Sequence, residues 1–315
     1  MNRWIARAGL AGFMSSACLF ALAADVTAES YKAAVTPCLK ARDLDCAEKN
    51  WTYYLRLRPT DSNAIANLGI VLNQRDKHKE AIIQFEKAMD LGEGTYDLFA
   101  YYADSLAKVG RTDDAIDWSY KALTVVPRLV DVRGSLAKLL VLQKRHYEAL
   151  AVLSAYDDEA VATGHDPYFE GQRIAIESSL ARQRSAPGTE PKSIRLPKYG
   201  DHFYVPVTFG DARPQAFMVD TGAATVALND ALMASAKIDY KVVERNVPIR
   251  LADGRKTTGQ IVRIASMKVG PFELKDQVAM TCAKCLPLLG QKTLAKFDLK
   301  TSKVQGVEFV SLSPR

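Results

Sequence analysis

The sequence predicts two domains of different class, an N-terminal all-α array of helical repeats and a C-terminal all-β domain. Three observations predict it. Ala47, Ala81, Ala115 and Ala149 recur every 34 residues, a period that belongs to paired-helix repeats. Composition then shifts at Ser185-Ala186-Pro187-Gly188-Thr189-Glu190-Pro191, a stretch that cannot continue a helix and has nothing to bury. Beyond it, the spacing of apolar residues changes from three-and-four to two. A length of 315 residues suits this division, since domains run to roughly 150 residues. The expected boundaries are a targeting segment at 1–23, repeats with a capping helix at 24–184, a linker at 185–198 and the β domain at 199–315.

The first residues read as an export signal. Arg3 and Arg7 precede an uncharged apolar stretch at 8–23, and Ala21-Leu22-Ala23 offers the small residues a signal peptidase reads. The stretch is shorter than the roughly 20 residues of a membrane-spanning helix, so cleavage near Ala23 is expected over an uncleaved anchor. Lipidation at Cys18 is a third option, but Ser15-Ser16-Ala17 lacks the large aliphatic residue expected before it. No later segment is long and apolar enough to span a membrane, and a periplasmic or secreted location is expected. The composition, 48% hydrophobic and 25% charged, is that of globular protein. The formal charge of +6 falls by two with Arg3 and Arg7. It is then too mild and too dispersed to point to nucleic acid as partner.

Cys18 leaves with such a signal. The other four cysteines form two close pairs, Cys38/Cys46 and Cys282/Cys285, which in an oxidising compartment read as local disulfides. Free thiols stay open as the alternative. Cys282-Ala283-Lys284-Cys285 could also be a zinc or redox motif. There is no second such pair, and His78, His146, His165 and His202 lie elsewhere, which speaks against zinc. Nor does the pair open a helix after a strand, as redox work would need. No metal or cofactor is expected.

Within the repeats, Ala81 is followed by Phe85 and Ala88, Ala115 by Ala122, Ala149 by Leu153 and Ala47 by Trp51. Gly69 lies twelve residues before Ala81, where a small residue lets a second helix approach the first. Residues 64–73 and 79–90 are apolar at helical spacing and are separated by the polar turn Gln74-Arg75-Asp76-Lys77. This pattern resembles the tetratricopeptide repeat (TPR), which implies antiparallel helix pairs and a concave groove for a peptide or protein partner. A spacer or scaffold role is the competing reading of the array. Val35 and Ser119 depart from the pattern, and residues 165–184 read as a capping helix.

In the second half Phe203, Val205 and Val207 alternate with Tyr204, Pro206 and Thr208, and strands are expected at 247–251, 260–269 and 273–280. Between them lies Phe217-Met218-Val219-Asp220-Thr221-Gly222-Ala223-Ala224-Thr225-Val226, an apolar strand running into Asp-Thr-Gly-Ala and out into another. Leu288-Leu289-Gly290 follows well downstream, then a short helix-like stretch at 291–297 and a closing strand. This order resembles the retropepsin-like (acid protease) domains of bacterial exported proteins, from about residue 199 to 312.

The resemblance implies an aspartic endopeptidase with Asp220 as the catalytic carboxylate. Thr221, Gly222 and Ala223 would complete the active-site loop, Leu288, Leu289 and Gly290 would support it from behind, and Ala252, Asp253 and Gly254 would form the flap. Two carboxyls at about 3 Å cannot both ionise, so one serves as base towards water while the other stays protonated. The chain has a single Asp-Thr-Gly. Activity therefore implies a homodimer with one loop from each chain, acting on an extended peptide. The alternative is a non-catalytic interaction protein, with the β domain as a dimerisation or peptide-binding module. No Gly-x-Ser-x-Gly is present to suggest a serine hydrolase.

Overall fold

The computed structural model describes residues 27–162, 164–184, 191–250, 254 and 256–315. The expected export signal and Cys18 lie outside the described residues. By its contacts the chain divides into two compact units, 1–59 and 60–315.

The first unit is one antiparallel helix pair, α1 (Ala28–Lys40) and α2 (Leu44–Leu57). The side chains of Thr27 and Asp43 cap the two N-termini, accepting from the amides of Ser30 and Cys46. Cys38 and Cys46 face each other across the turn with their sulfurs at bonding distance, and their Cα atoms are 5.6 Å apart.

The second unit continues the array with α3 (Ser62–Gln74), α4 (His78–Asp90), α5 (Tyr96–Lys108), α6 (Thr112–Val125), α7 (Val130–Leu142), α8 (His146–Ala162) and α9 (Glu170–Arg184). Gly69 lies directly under the Phe85 ring, so α3 and α4 touch where the sequence places its small residue. The turn inside each helix pair repeats as closely as the alanines do. Arg42, Asp76, Gly110 and Lys144 all have positive φ. The amides of Asp43, Lys77, Arg111 and Arg145 each donate to the carbonyl five residues back, at Cys38, Leu72, Leu106 and Leu140. This bond satisfies carbonyls that a helix end would otherwise leave without partners. The capping helix is shorter than expected. It starts at Glu170, after Pro167 and the buried Phe169, and buries Ile176 and Leu180.

Ten strands follow: β1 (Ile194–Tyr199), β2 (His202–Thr208), β3 (Gln215–Val219), β4 (Val226–Leu228), β5 (Tyr240–Arg250), β6 (Lys256–Val269), β7 (Phe272–Thr281), β8 (Leu288–Leu289), β9 (Phe297–Val304) and β10 (Val307–Pro314). Two short helices interrupt them, α10 (Asp230–Ser235) and α11 (Gln291–Leu294). The sheet order is β5-β6-β7-β4-β8-β3-β2-β1-β10-β9, and a further pairing of β6 with β2 closes the middle strands on themselves.

The structure corrects the expected linker. Residues 194–199 are a strand, paired with β10 from Ile194↔Leu312 to Pro197↔Phe309 and with β2. Ile194 and Leu196 point inward and are buried. Pro197 and the preceding Pro-Gly-Ser composition hid this period-two pattern. The β domain thus begins five residues before its expected start. It also shares a single apolar core with the later helices, from Ile116 and Tyr120 through Leu150 and Leu153 to Phe217, Val262 and Phe309.

Candidate active site

Asp220 stands at the end of β3, where two short strands hold the backbone. β3 runs parallel to β8, with Met218 opposite Leu288 and Val219 opposite Leu289. Ala227 of β4 pairs antiparallel with Leu288 on the other side of β8. Pro287 and Leu289 accept from the amides of Met218 (3.1 Å) and Asp220 (3.0 Å). The residue that must be placed is therefore tied by its own N–H to the Leu-Leu-Gly segment. Leu289 is fully buried, so packing beneath the loop fixes that carbonyl.

Asp220 is half-buried, while Thr221 and Gly222 are exposed. The Gly222 amide donates to Asp220 Oδ1 at 2.8 Å, which orients the carboxylate. A Cβ on Gly222 would stand 3.2 Å from that oxygen. Gly290 is more constrained. A Cβ there would run into the carbonyls of Ala223 and Thr225 and the Thr225 amide. The glycine of Leu-Leu-Gly is thus the point at which that segment passes closest to the Asp220 loop.

Sequence reasoning missed Gln291. Its amide donates to Ala223 O at 2.8 Å, and its side-chain Nε2 donates to Thr221 O at 2.8 Å. The next amide, of Lys292, donates to Ala224 O at 3.1 Å. One residue of α11 therefore grips both ends of Thr221-Gly222-Ala223. Its position at the first turn after Leu-Leu-Gly was the available signal.

The expected flap lies in sequence between β5 and β6, which pair as far as Arg250↔Lys256. Ala252 and Asp253 lie outside the described residues. Gly254 has φ +84° with open space around it. The second cysteine pair has its sulfurs at bonding distance, and both residues are buried at the end of β7.

Comparison with known proteins finds similarities in both halves of the chain. The family model of the gag-polyprotein putative aspartyl protease matches residues 205–296, which span β2 to α11 and contain both Asp220 and Leu288-Leu289-Gly290. No curated protein matches the sequence. Among solved structures, a retropepsin-like aspartic protease from Rickettsia conorii is 19% identical with a TM-score of 0.29, over 39% of this chain and 93% of that one. YrrB, a TPR protein with an unusual peptide-binding site, is 21% identical with a TM-score of 0.43, over 51% of this chain and 81% of that one. MamA is 15% identical with a TM-score of 0.39, over 50% and 89%. The chain is an array of paired helices followed by an all-β domain, and residues 205–296 of that domain are similar to the aspartyl-protease family model.

Proposed function

We propose that the protein is an exported aspartic endopeptidase that works as a homodimer, each chain supplying one Asp220. The observation that carries this reading is the loop itself. Asp220 is anchored by its amide to Leu289, its carboxylate is oriented by Gly222, and Gln291 holds the loop while Thr221 and Gly222 stay exposed. That arrangement is half of a carboxylate dyad facing outward. A second copy across a two-fold axis would bring the other carboxyl within reach, and the pair would share one proton.

In the dimer, the ionised carboxyl takes a proton from water as it attacks the peptide carbonyl. The protonated one donates to the carbonyl oxygen. The tetrahedral intermediate then collapses as the first carboxyl passes the proton taken from water to the leaving amine and a hydroxyl proton of the intermediate returns to the second, so the dyad again holds one proton. Thr221 would link the two loops across the axis, and the β5–β6 hairpin would lie over an extended peptide paired to strand edges. The helical array would recruit that peptide or the protein carrying it.

The test is cleavage of an unfolded protein mixture by the purified mature chain, with its mass in solution measured alongside. A dimer should cleave, and Asp220→Asn should slow it by about 10²–10⁴-fold, the usual contribution of acid–base groups. Cleavage that survives Asp220→Asn unchanged would end this reading. A chain that is inert with or without the substitution would leave the β domain as a peptide-binding or dimerisation module.

A further inference from the structure

We propose that the Cys282–Cys285 bridge is a positioning device that ties the tip end of the β5–β6 hairpin to the strand behind Asp220. Its effect on catalysis rests on the endopeptidase reading above.

The bridge sits where three strands meet. It belongs to a small apolar cluster of its own, with Ala227 of β4 and Ile249 of β5, against which Met280 and Leu288 pack. The Cys282 amide donates to Leu228 O, at the end of β4. On the hairpin side, Gly259 of β6 passes so close that a Cβ there would strike the Thr281 carbonyl and the Ile249 side chain, and would lie 3.1 Å from Cys282 Cβ. Only glycine lets β6 and Ile249 seat against the bridge. On the catalytic side, Cys285 is two residues from Pro287, whose carbonyl accepts from Met218, and four from Leu289, whose carbonyl accepts from Asp220. The path from Ile249 to Asp220 thus runs through the bridge and one short strand.

The size of the ring separates this role from general stabilisation. A disulfide stabilises through the loop it closes, and the gain grows with loop length. This one joins cysteines three apart in sequence, the least rewarding case. Its place between hairpin and catalytic strand favours local geometry as its contribution. A displacement of about 1 Å at a reacting group can cost about 10²-fold in rate, so a small relaxation here suffices.

The experiment compares the full chain with its Cys282→Ala/Cys285→Ala form, reading amide hydrogen exchange and cleavage kinetics together. Expected is faster exchange both in β6 around Gly259 and in β8 and β3 up to Asp220. The kcat should fall about tenfold or more with KM changed less, while the dimer mass persists and the melting temperature moves only a few degrees. Ile249→Ala should give the same two-sided exchange pattern with the bridge intact, and Ile249→Val should restore it; this pair also serves if the alanine form does not fold. Faster exchange confined to residues 282–285, or a kcat equal to that of the parent, would overturn the proposal. Absence of Asp220-dependent cleavage in the parent chain would instead strike the endopeptidase reading, and the exchange pattern would still decide whether the bridge couples the two segments.

Discussion

Around Asp220 the residues of the candidate site divide by how far their partners lie along the chain. Asp220-Thr221-Gly222 and Leu288-Leu289-Gly290 are contiguous, and each carries its own chemistry or shape, so both were legible in the sequence. Gln291 was not, because its hydrogen bond to Thr221 spans 70 residues and glutamine on a short helix has no distinctive signature. Removing that side chain gives up one neutral hydrogen bond, a loss of roughly 0.5–1.5 kcal/mol. Gln291→Ala should therefore leave the fold standing, with a slightly lower urea midpoint, while peptide cleavage drops by a larger factor because the loop is less well held. Equal turnover in the variant and the parent would show that Gln291 does not hold the loop for catalysis. Gly290→Ala is a harsher change. The added methyl meets backbone atoms of Ala223 and Thr225, which cannot rotate away as a side chain would. A cost of about 1–3 kcal/mol is expected from forced overpacking, seen as a lower denaturant midpoint together with lost activity.

Among the elements, the repeats were the most legible and their turns the least. The 34-residue recurrence of Ala47, Ala81, Ala115 and Ala149 gave away the helix pairs, since small buried residues are visible as letters. The positive-φ turn positions recur at the same interval, yet only Gly110 is a glycine, with Arg42, Asp76 and Lys144 at the others. A conformation common to four positions was thus carried by four unlike residues, and its repetition is visible only in the backbone. The strand at Ile194–Tyr199 was hidden by its proline, and the first half of β5 by polar residues on both faces and register shifts between Val242 and Val247. Gly69 tests the packing the alanines imply. Its virtual Cβ stands 2.7 Å from a Phe85 ring carbon, and Phe85 is fully buried. Gly69→Ala gains helix propensity of nearly 1 kcal/mol but must push that ring aside at a cost of about 1–3 kcal/mol. The second effect should win, so thermal unfolding of Gly69→Ala should come at a lower temperature than that of the parent; a higher one would mean that α3 and α4 can part without loss.

On the scale of the whole molecule, the later helices and the β domain, expected to be joined only by a linker at 185–198, share one core within the second unit, with a polar seam. Tyr120 of α6 stacks edge-on against Phe309 of β10 at 5.0 Å and donates to Glu148 of α8 at 2.7 Å. Glu148 also receives Arg145 at 2.6 Å and lies 3.7 Å from Arg195 of β1. Arg213, in the loop before β3, reaches Glu170 and Glu177 of α9. Burial, and then the Glu148 carboxylate, hold the Tyr120 hydroxyl well above the usual tyrosine range. The unfolded chain releases that proton near pH 10, where the native one still keeps it, so stability is lost as pH rises beyond about 10. Tyr120→Phe should be less stable at neutral pH yet decline less steeply in alkali, as read from urea midpoints at several pH values.

The same seam decides whether the β domain can stand alone. Residues 191–315 expressed without the helices would bare Phe309 where Tyr120 packs, and Ile194 near the Tyr147 side chain beside Gly270. Each large side chain returned to water costs about 1.5–3 kcal/mol. A few such residues together rival the roughly 5–15 kcal/mol that holds a domain folded. Arg195 would keep its place over the Phe309 ring but lose Glu148. The fragment is therefore expected to aggregate, or to give no cooperative thermal transition by circular dichroism, whereas residues 60–315 should unfold cooperatively. A soluble fragment with a sharp transition would mean that the helices and the β domain only touch, and that the β domain is self-sufficient in this chain.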